Sequence, residues 1–155
     1  MPNIAVFAGS FCPYTKGHED IVSKALPLFD KIVIAVGHNF QKDDLFTVEQ
    51  RIQWIKQLYA SHNKIEVIHY KGLTVDICHK VQAQYLIRGL RNAADYATEQ
   101  EIAIVNHQLS PDITTIFIPT SPQYAAVSSS LVRELWSLHV DYSAFVSYPL
   151  PLPEK

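Results

Sequence analysis

Residues 4–29 read IAVFAGSFCPYTKGHEDIVSKALPLF, and the fold of the chain follows from this stretch. It opens with Ile4–Ala8, a continuous apolar run without polar alternation, as expected of a strand covered on both faces of a parallel sheet. A polar loop bearing two glycines follows, from Gly9 to His18. Ile21, Val22, Ala25, Leu26 and Phe29 then recur at helical spacing. Pro27 falls late in that helix and is expected to kink or end it.

The same alternation returns along the chain. Ile32–Val36, Ile65–Tyr70, Tyr85–Ile87 and Thr115–Ile118 are further short apolar runs. Val48, Ile52, Ile55 and Tyr59 mark a second helical stripe, which Thr47 and Gln50 open as a capping box. Val75, Cys78, His79, Val81 and Gln82 give a weaker third. Ala94, Ala97, Ile102, Val105 and Leu109 outline a fourth, and Leu131, Leu135 and Leu138 a fifth. Strand and helix repeated about five times predict an α/β, Rossmann-like fold: about five parallel strands with helices on both faces and right-handed crossovers. The 155 residues suit one domain over 1–155, with 149–155 a proline-rich C-terminal tail that is extended, packed on a surface or frayed.

With 48% hydrophobic and 18% charged residues the chain is not disordered, collagen-like or coiled-coil. Thirteen Lys and Arg against fifteen Asp and Glu leave a net charge of −2, which disfavours an extended nucleic-acid footprint. Any anion site is therefore local. Cys12 and Cys78 form no metal-ligand spacing and no disulfide framework, so they read as reduced thiols. The residues after Met1 make no basic leader, and no apolar run is long enough to span a membrane. The expectation is a soluble cytoplasmic protein with no membrane or nucleic-acid partner.

Ligands of such sheets lie beyond the carboxyl ends of the strands. Four loops there carry the unusual polar residues. In the first, Gly9 to His18, Thr15 is placed to cap the following helix and His18 falls in its first turn. A helix start repels an imidazolium and offers it no obvious packing, so His18 points to an anion bound there. The second loop holds Lys42 among Asp43 and Asp44, and a solvated lysine is its plain alternative. In the third, Arg88-Gly89-Leu90-Arg91 sets two arginines after a strand, suited to bidentate phosphate contact or to pairing with Asp95, Glu99 or Glu101. In the fourth, Ser128-Ser129-Ser130 offers amides and hydroxyls at a helix start, or simple capping. Together they place anion donors and a histidine on one rim, which points to a polyphosphate nucleotide.

Thr15-Lys16-Gly17-His18 resembles the T/H-x-G-H motif of the nucleotidyltransferase superfamily. Gly9-Ser10-Phe11-x-Pro13, His18-x-Asp20-Ile21-Val22, Leu86–Arg91 with Asp95 and Glu99, and Ser128–Glu134 are similar to bacterial phosphopantetheine adenylyltransferase. That resemblance, from Ile4 to about Leu138, implies transfer of AMP from ATP to 4′-phosphopantetheine, giving dephospho-coenzyme A and pyrophosphate. It implies that Ser10 and Lys42 hold the attacking phosphate, with His18 on the α-phosphate. Arg91, Ser129 and Ser130 would take the β- and γ-phosphates. Phe11, Gly89, Leu90, Glu99, Tyr124, Ala125, Ala126, Val127 and Ser128 would complete the ATP site. Arg88 would also face the acceptor phosphate, and Thr74, Ile102 and Asn106 would lie along the pantetheine arm. Mg²⁺, held mainly by the ATP phosphates, and a homohexamer are implied in the same way.

Some positions depart from that family's pattern, among them Ser10, which stands for Thr but keeps the hydroxyl. Cys12 stands where Asp is usual, Thr98 where an aromatic is usual, and Asp43-Asp44 replace a Lys/Pro-type stretch. The Cys12 thiol either faces the site or is buried and inert. Two other readings are open: a T/H-x-G-H transferase with a different phosphate acceptor, and a non-catalytic nucleotide sensor.

Overall fold

The computed structural model describes residues 1–38 and 45–154. Five strands, β1 (Ile4–Gly9), β2 (Lys31–Val36), β3 (Ile65–His69), β4 (Tyr85–Leu90) and β5 (Thr114–Pro119), form one sheet in the order β3-β2-β1-β4-β5. Every neighbouring pair is parallel. The helices are α1 (Lys16–Ala25), α2 (Val48–Leu58), α3 (Thr74–Lys80), α4 (Ala93–Leu109) and α5 (Ser129–Ser137). Strand order reverses between β1 and β4, so the carboxyl ends of those two strands frame the crevice where such sheets take ligands.

Parity along β1 and β2 builds two cores. Ala5, Phe7, Ile32 and Ile34 pack under α1 and α2 with Ile21, Val22 and Ile55. Val6, Ala8, Val33 and Ala35 face Ile77 and Cys78 of α3. Burial on both faces holds for these central strands but not for the edge strands: Glu66 and His69 of β3 and Thr114 of β5 are exposed. Pro27 ends α1, because the chain tightens into a 3-10 turn over Leu26–Leu28. Thr47 and Gln50 form the expected capping box of α2.

Two expectations are corrected. Strand β4 runs to Leu90, since β5 continues beside it and pairs Arg88 with Phe117 and Gly89 with Ile118. Arg88 and Gly89 thus lie in the sheet, not in a loop after it. The fourth apolar stripe also faces the wrong way: no residue of α4 is buried. The side chains that α4 turns inward are partly covered Asp95, Glu99, Ala103 and Asn106. Arginines on the sheet require carboxylates opposite, so the polar stripe is the one that docks.

The tail is packed rather than frayed. Leu150 is buried in a third cluster with Cys12, Phe46, Val132 and Val146. Trp136 donates its indole N–H to the Pro151 carbonyl at 2.6 Å.

Candidate active site

A cleft of about 480 Å³ opens at the carboxyl ends of β1 and β4. It is lined by Ser10 and Phe11 from the first loop, His18 from the first turn of α1, Arg88 and Gly89 from β4, Arg91 just after it, and Val127 to Ser130 with Arg133 around the start of α5. His18, Arg91 and the serine triplet, expected on one rim, share one cavity.

His18 is the third residue of α1, and Thr15 is its N-cap. The Thr15 amide donates to His18 Nδ1 at 2.8 Å, which leaves the proton of the neutral ring on Nε2. The ring stacks on Tyr14 with centroids 5.1 Å apart and meets Phe11 edge-on at 5.0 Å. The packing that the sequence did not suggest is therefore supplied by its own loop. Burial, with Arg88 and Arg91 nearby, lowers the His18 pKa from 6.5 to about 3. A helix start and two guanidiniums disfavour an imidazolium but accept a neutral N–H donor.

Phe11 has a left-handed backbone, with φ of 47°. The turn folds its ring back over Gly9, where a Cβ would stand 3.0 Å from the ring. The other special glycine is Gly89: a Cβ there would lie 2.9 Å from Ile21 Cγ1 of α1. Its smallness serves close helix–sheet packing, and Gly89 lines the cleft as well.

The arginines are paired as the plain alternative required, yet they still face the cleft. Arg88 binds Glu99 in a fork at 2.6 and 2.7 Å and donates to the Ala8 carbonyl at 2.8 Å. Arg91 meets Asp95 at 3.2 Å. Of the serines, Ser128 caps α5 by accepting from the Leu131 amide, and Ser129 donates to the Pro13 carbonyl at 2.8 Å. Two hydroxyls of the triplet are therefore spent on structure. The amides of Ser129 and Ser130, at the first two positions of α5, have no intrahelical acceptor and remain for a ligand.

A second cavity of about 180 Å³ adjoins the cleft through Arg88 and is lined by Thr74, Glu99, Ile102 and Asn106 among others. Glu99, expected at the nucleoside, thus lies on this side as the partner of Arg88. Leu90, Tyr124, Ala125 and Ala126 do not line the main cleft, whereas Val127 does. Lys42, with Asp43 and Asp44, lies outside the described residues. Cys12 is buried, away from the cleft, in the tail cluster. Burial raises the Cys78 thiol to about 12, leaving it a thiol at neutral pH.

Arg51 went unremarked in the sequence, although it lies on the inward stripe of α2 between Val48 and Ile55. It is 1% exposed. Its guanidinium donates to the carbonyls of Ser10, Gly37 (3.0 Å) and Phe46 (3.1 Å), joining the ends of β1 and β2 to the start of α2. The tail braces the same region: Tyr148 donates to the Tyr14 carbonyl at 2.6 Å, and the Lys16 amide to that of Phe145 at 2.8 Å. Asp20 ties α1 to the turn after β5. Burial works against its carboxylate, but two Ser121 hydrogen bonds and Lys24 hold it below the usual range.

Fold and cleft together define a nucleotide-handling α/β protein of the cytidylyltransferase-like kind, the family matched by residues 6–135. Solved structures share the architecture at low identity. A bifunctional NMN adenylyltransferase/ADP ribose pyrophosphatase from Francisella tularensis superposes with a TM-score of 0.72 at 17% identity, over 97% of this chain and 46% of that one. Proteins named phosphopantetheine adenylyltransferase are much nearer in sequence. That of Cytophaga hutchinsonii is 45% identical over 97% of this chain and all of its own length. That of Porphyromonas gingivalis is 45% identical over 93% of this chain and 94% of its own. The chain belongs to the phosphopantetheine adenylyltransferase branch of that family.

Proposed function

We propose that the chain, acting as one domain over residues 1–155, transfers AMP from ATP to 4′-phosphopantetheine. An oxygen of the acceptor phosphate attacks the α-phosphorus in line. The bond to the β-phosphate bridging oxygen breaks, and pyrophosphate leaves with that electron pair. The acceptor phosphate is already anionic near neutral pH, so the reaction needs positioning and charge compensation more than a base. His18, a neutral Nε2–H donor, serves the α-phosphate. Arg91 and the Ser129 and Ser130 amides take the β- and γ-phosphates, while Ser10 and Lys42 hold the acceptor phosphate.

The observation carrying this reading is that Arg88 forms a wall shared by two cavities. One collects anion donors. The other, a pocket of about 180 Å³, is lined by Thr74, Ile102 and Asn106 and suits part of the pantetheine arm. Among the described residues no three His, Cys, Asp or Glu side chains come together. As the resemblance implies, Mg²⁺ would be held mainly by the triphosphate oxygens and would offset their charge.

A homohexamer is part of the reading. It is supported by Tyr96, Ile102, Ile104, Val105 and Leu109, which leave an apolar surface along α4 that is 44–54% exposed. We place the reaction in the cytoplasm, in keeping with two free buried cysteines and, among the described residues, no helix long and apolar enough to cross a membrane.

The test is pyrophosphate release with ATP and Mg²⁺, expected only when 4′-phosphopantetheine is present. Release driven instead by nicotinate mononucleotide or glycerol phosphate, or by no acceptor tried, overturns it.

A further inference from the structure

One peptide unit links the far end of the chain to His18. Its carbonyl, that of Tyr14, accepts from the Tyr148 hydroxyl at 2.6 Å. Its amide, that of Thr15, donates to His18 Nδ1 at 2.8 Å. This peptide is trans and planar, with C=O and N–H pointing in opposite directions, so whatever fixes the carbonyl also aims the amide. Hydroxyl, peptide and imidazole form one hydrogen-bonded chain whose members polarise one another. The Tyr14 ring, on the same residue, is the face on which His18 stacks.

Tyr148 is itself held. Its ring stacks on Trp54 of α2, with centroids 5.2 Å apart and planes 24° from parallel. The tail is tied down on either side of it: Ser147 Oγ donates to Glu19 at 2.5 Å, and Leu150 is buried in the third cluster. Burial raises the Tyr148 hydroxyl pKa, so its proton stays in place to donate. The Tyr14 hydroxyl shares a hydrogen bond of 2.6 Å with that of Tyr59, so Tyr14 is gripped at its ring tip as well as at its backbone. Tyr14, Tyr59 and Tyr148 all lie outside the lining of the cleft.

We propose that Tyr148 is a positioning residue of the transfer reaction: through the Tyr14–Thr15 peptide it holds the amide that fixes the tautomer and direction of His18. This rests on the nucleotidyltransfer reading above. The tail suits the task because it reaches a loop carbonyl from behind, without entering the space that a substrate needs.

The experiment compares the full-length wild type with Tyr148→Phe, His18→Ala and the double variant, at a temperature where all are folded. Tyr148→Phe keeps the ring on Trp54 and removes one hydroxyl from a half-buried position. It should lower kcat roughly 10-fold, short of the about 10² that a 1 Å misplacement can cost, with the KM for ATP and for 4′-phosphopantetheine within about twofold. In the His18→Ala background the same change should lower kcat less than about twofold, because Tyr148 acts through a ring no longer there. In the ligand-free protein, Tyr148→Phe should shift or broaden the His18 ring resonances while those of His79, on α3, stay in place. An unchanged kcat with only a lower melting temperature overturns the proposal, and so does an equal fold loss in both backgrounds; either makes Tyr148 a strut for the tail. Unmoved His18 resonances overturn it too. Wild-type protein that turns over no acceptor, while the His18 resonances still move in Tyr148→Phe, sinks the nucleotidyltransfer reading and leaves the hold on His18 standing.

Discussion

The Thr15 amide and His18 Nδ1 are 2.8 Å apart, and that single contact gives His18 two duties. It closes the reciprocal cap of α1, in which the Thr15 hydroxyl accepts from the His18 amide. It also fixes the tautomer that turns an Nε2–H donor to the cleft. Helix start and reactive donor are one piece of geometry.

Substitution can separate the two duties. His18→Ala should lower kcat by about 10²–10³ and cost about 0.5–2 kcal/mol of stability through the lost cap. His18→Gln keeps a capping-box acceptor at the third helical position, so it should restore the melting temperature without restoring kcat. Undiminished turnover in either variant would remove His18 from the chemistry.

The pH behaviour follows from burial and the two neighbouring arginines. In the folded chain His18 titrates at about 3, below its ordinary 6.5, so the unfolded chain binds the extra proton first as pH falls. Its contribution to stability is therefore complete above pH 6.5 and is lost as the pH drops towards 3. Nitrogen NMR of the ligand-free protein should show a neutral, Nε2-protonated His18 throughout pH 5–8 (about two units above its folded pKa at the lower end). A His18 resonance titrating near the ordinary value would contradict this.

Arg51 holds together three carbonyls that otherwise have little access to water. Arg51→Met should cost at least about 3 kcal/mol in urea unfolding, because each abandoned buried acceptor carries its own penalty. Arg51→Lys should recover less than half, since an ammonium cannot fork between carbonyls on separate segments. A melting temperature within about 2 °C of wild type for Arg51→Met would show that the loops hold without it.

Gly89 and Ile21 form a packing pair. Gly89→Ala should destabilise by about 1–3 kcal/mol, as the new methyl meets Ile21 Cγ1. Combined with Ile21→Ala, the loss should fall short of the sum of the two single losses. Strict additivity would mean that the methyl is accommodated elsewhere.

The strands, the caps of α1 and α2 and the rim of the sheet that gathers the site were legible in the residues, because each depends on neighbours a few positions apart. Period, capping pairs and apolar runs are local properties, and they also placed His18, Arg91 and the serine triplet on one edge. Other features were settled only across the sheet. The inward face of α4 is polar because Arg88 and Arg91 lie opposite it, and no spacing within the helix announces that. Gly89 is small because Ile21, on another element, occupies the space. Arg51 is buried because the carbonyls of Ser10 and Gly37, far off in the chain, converge on it beside that of Phe46. A side chain's charge balance and the room around it are set by residues far away in the chain, so the sequence determined the elements and their site edge, and the tertiary structure decided which groups are paired, spent or left for a ligand.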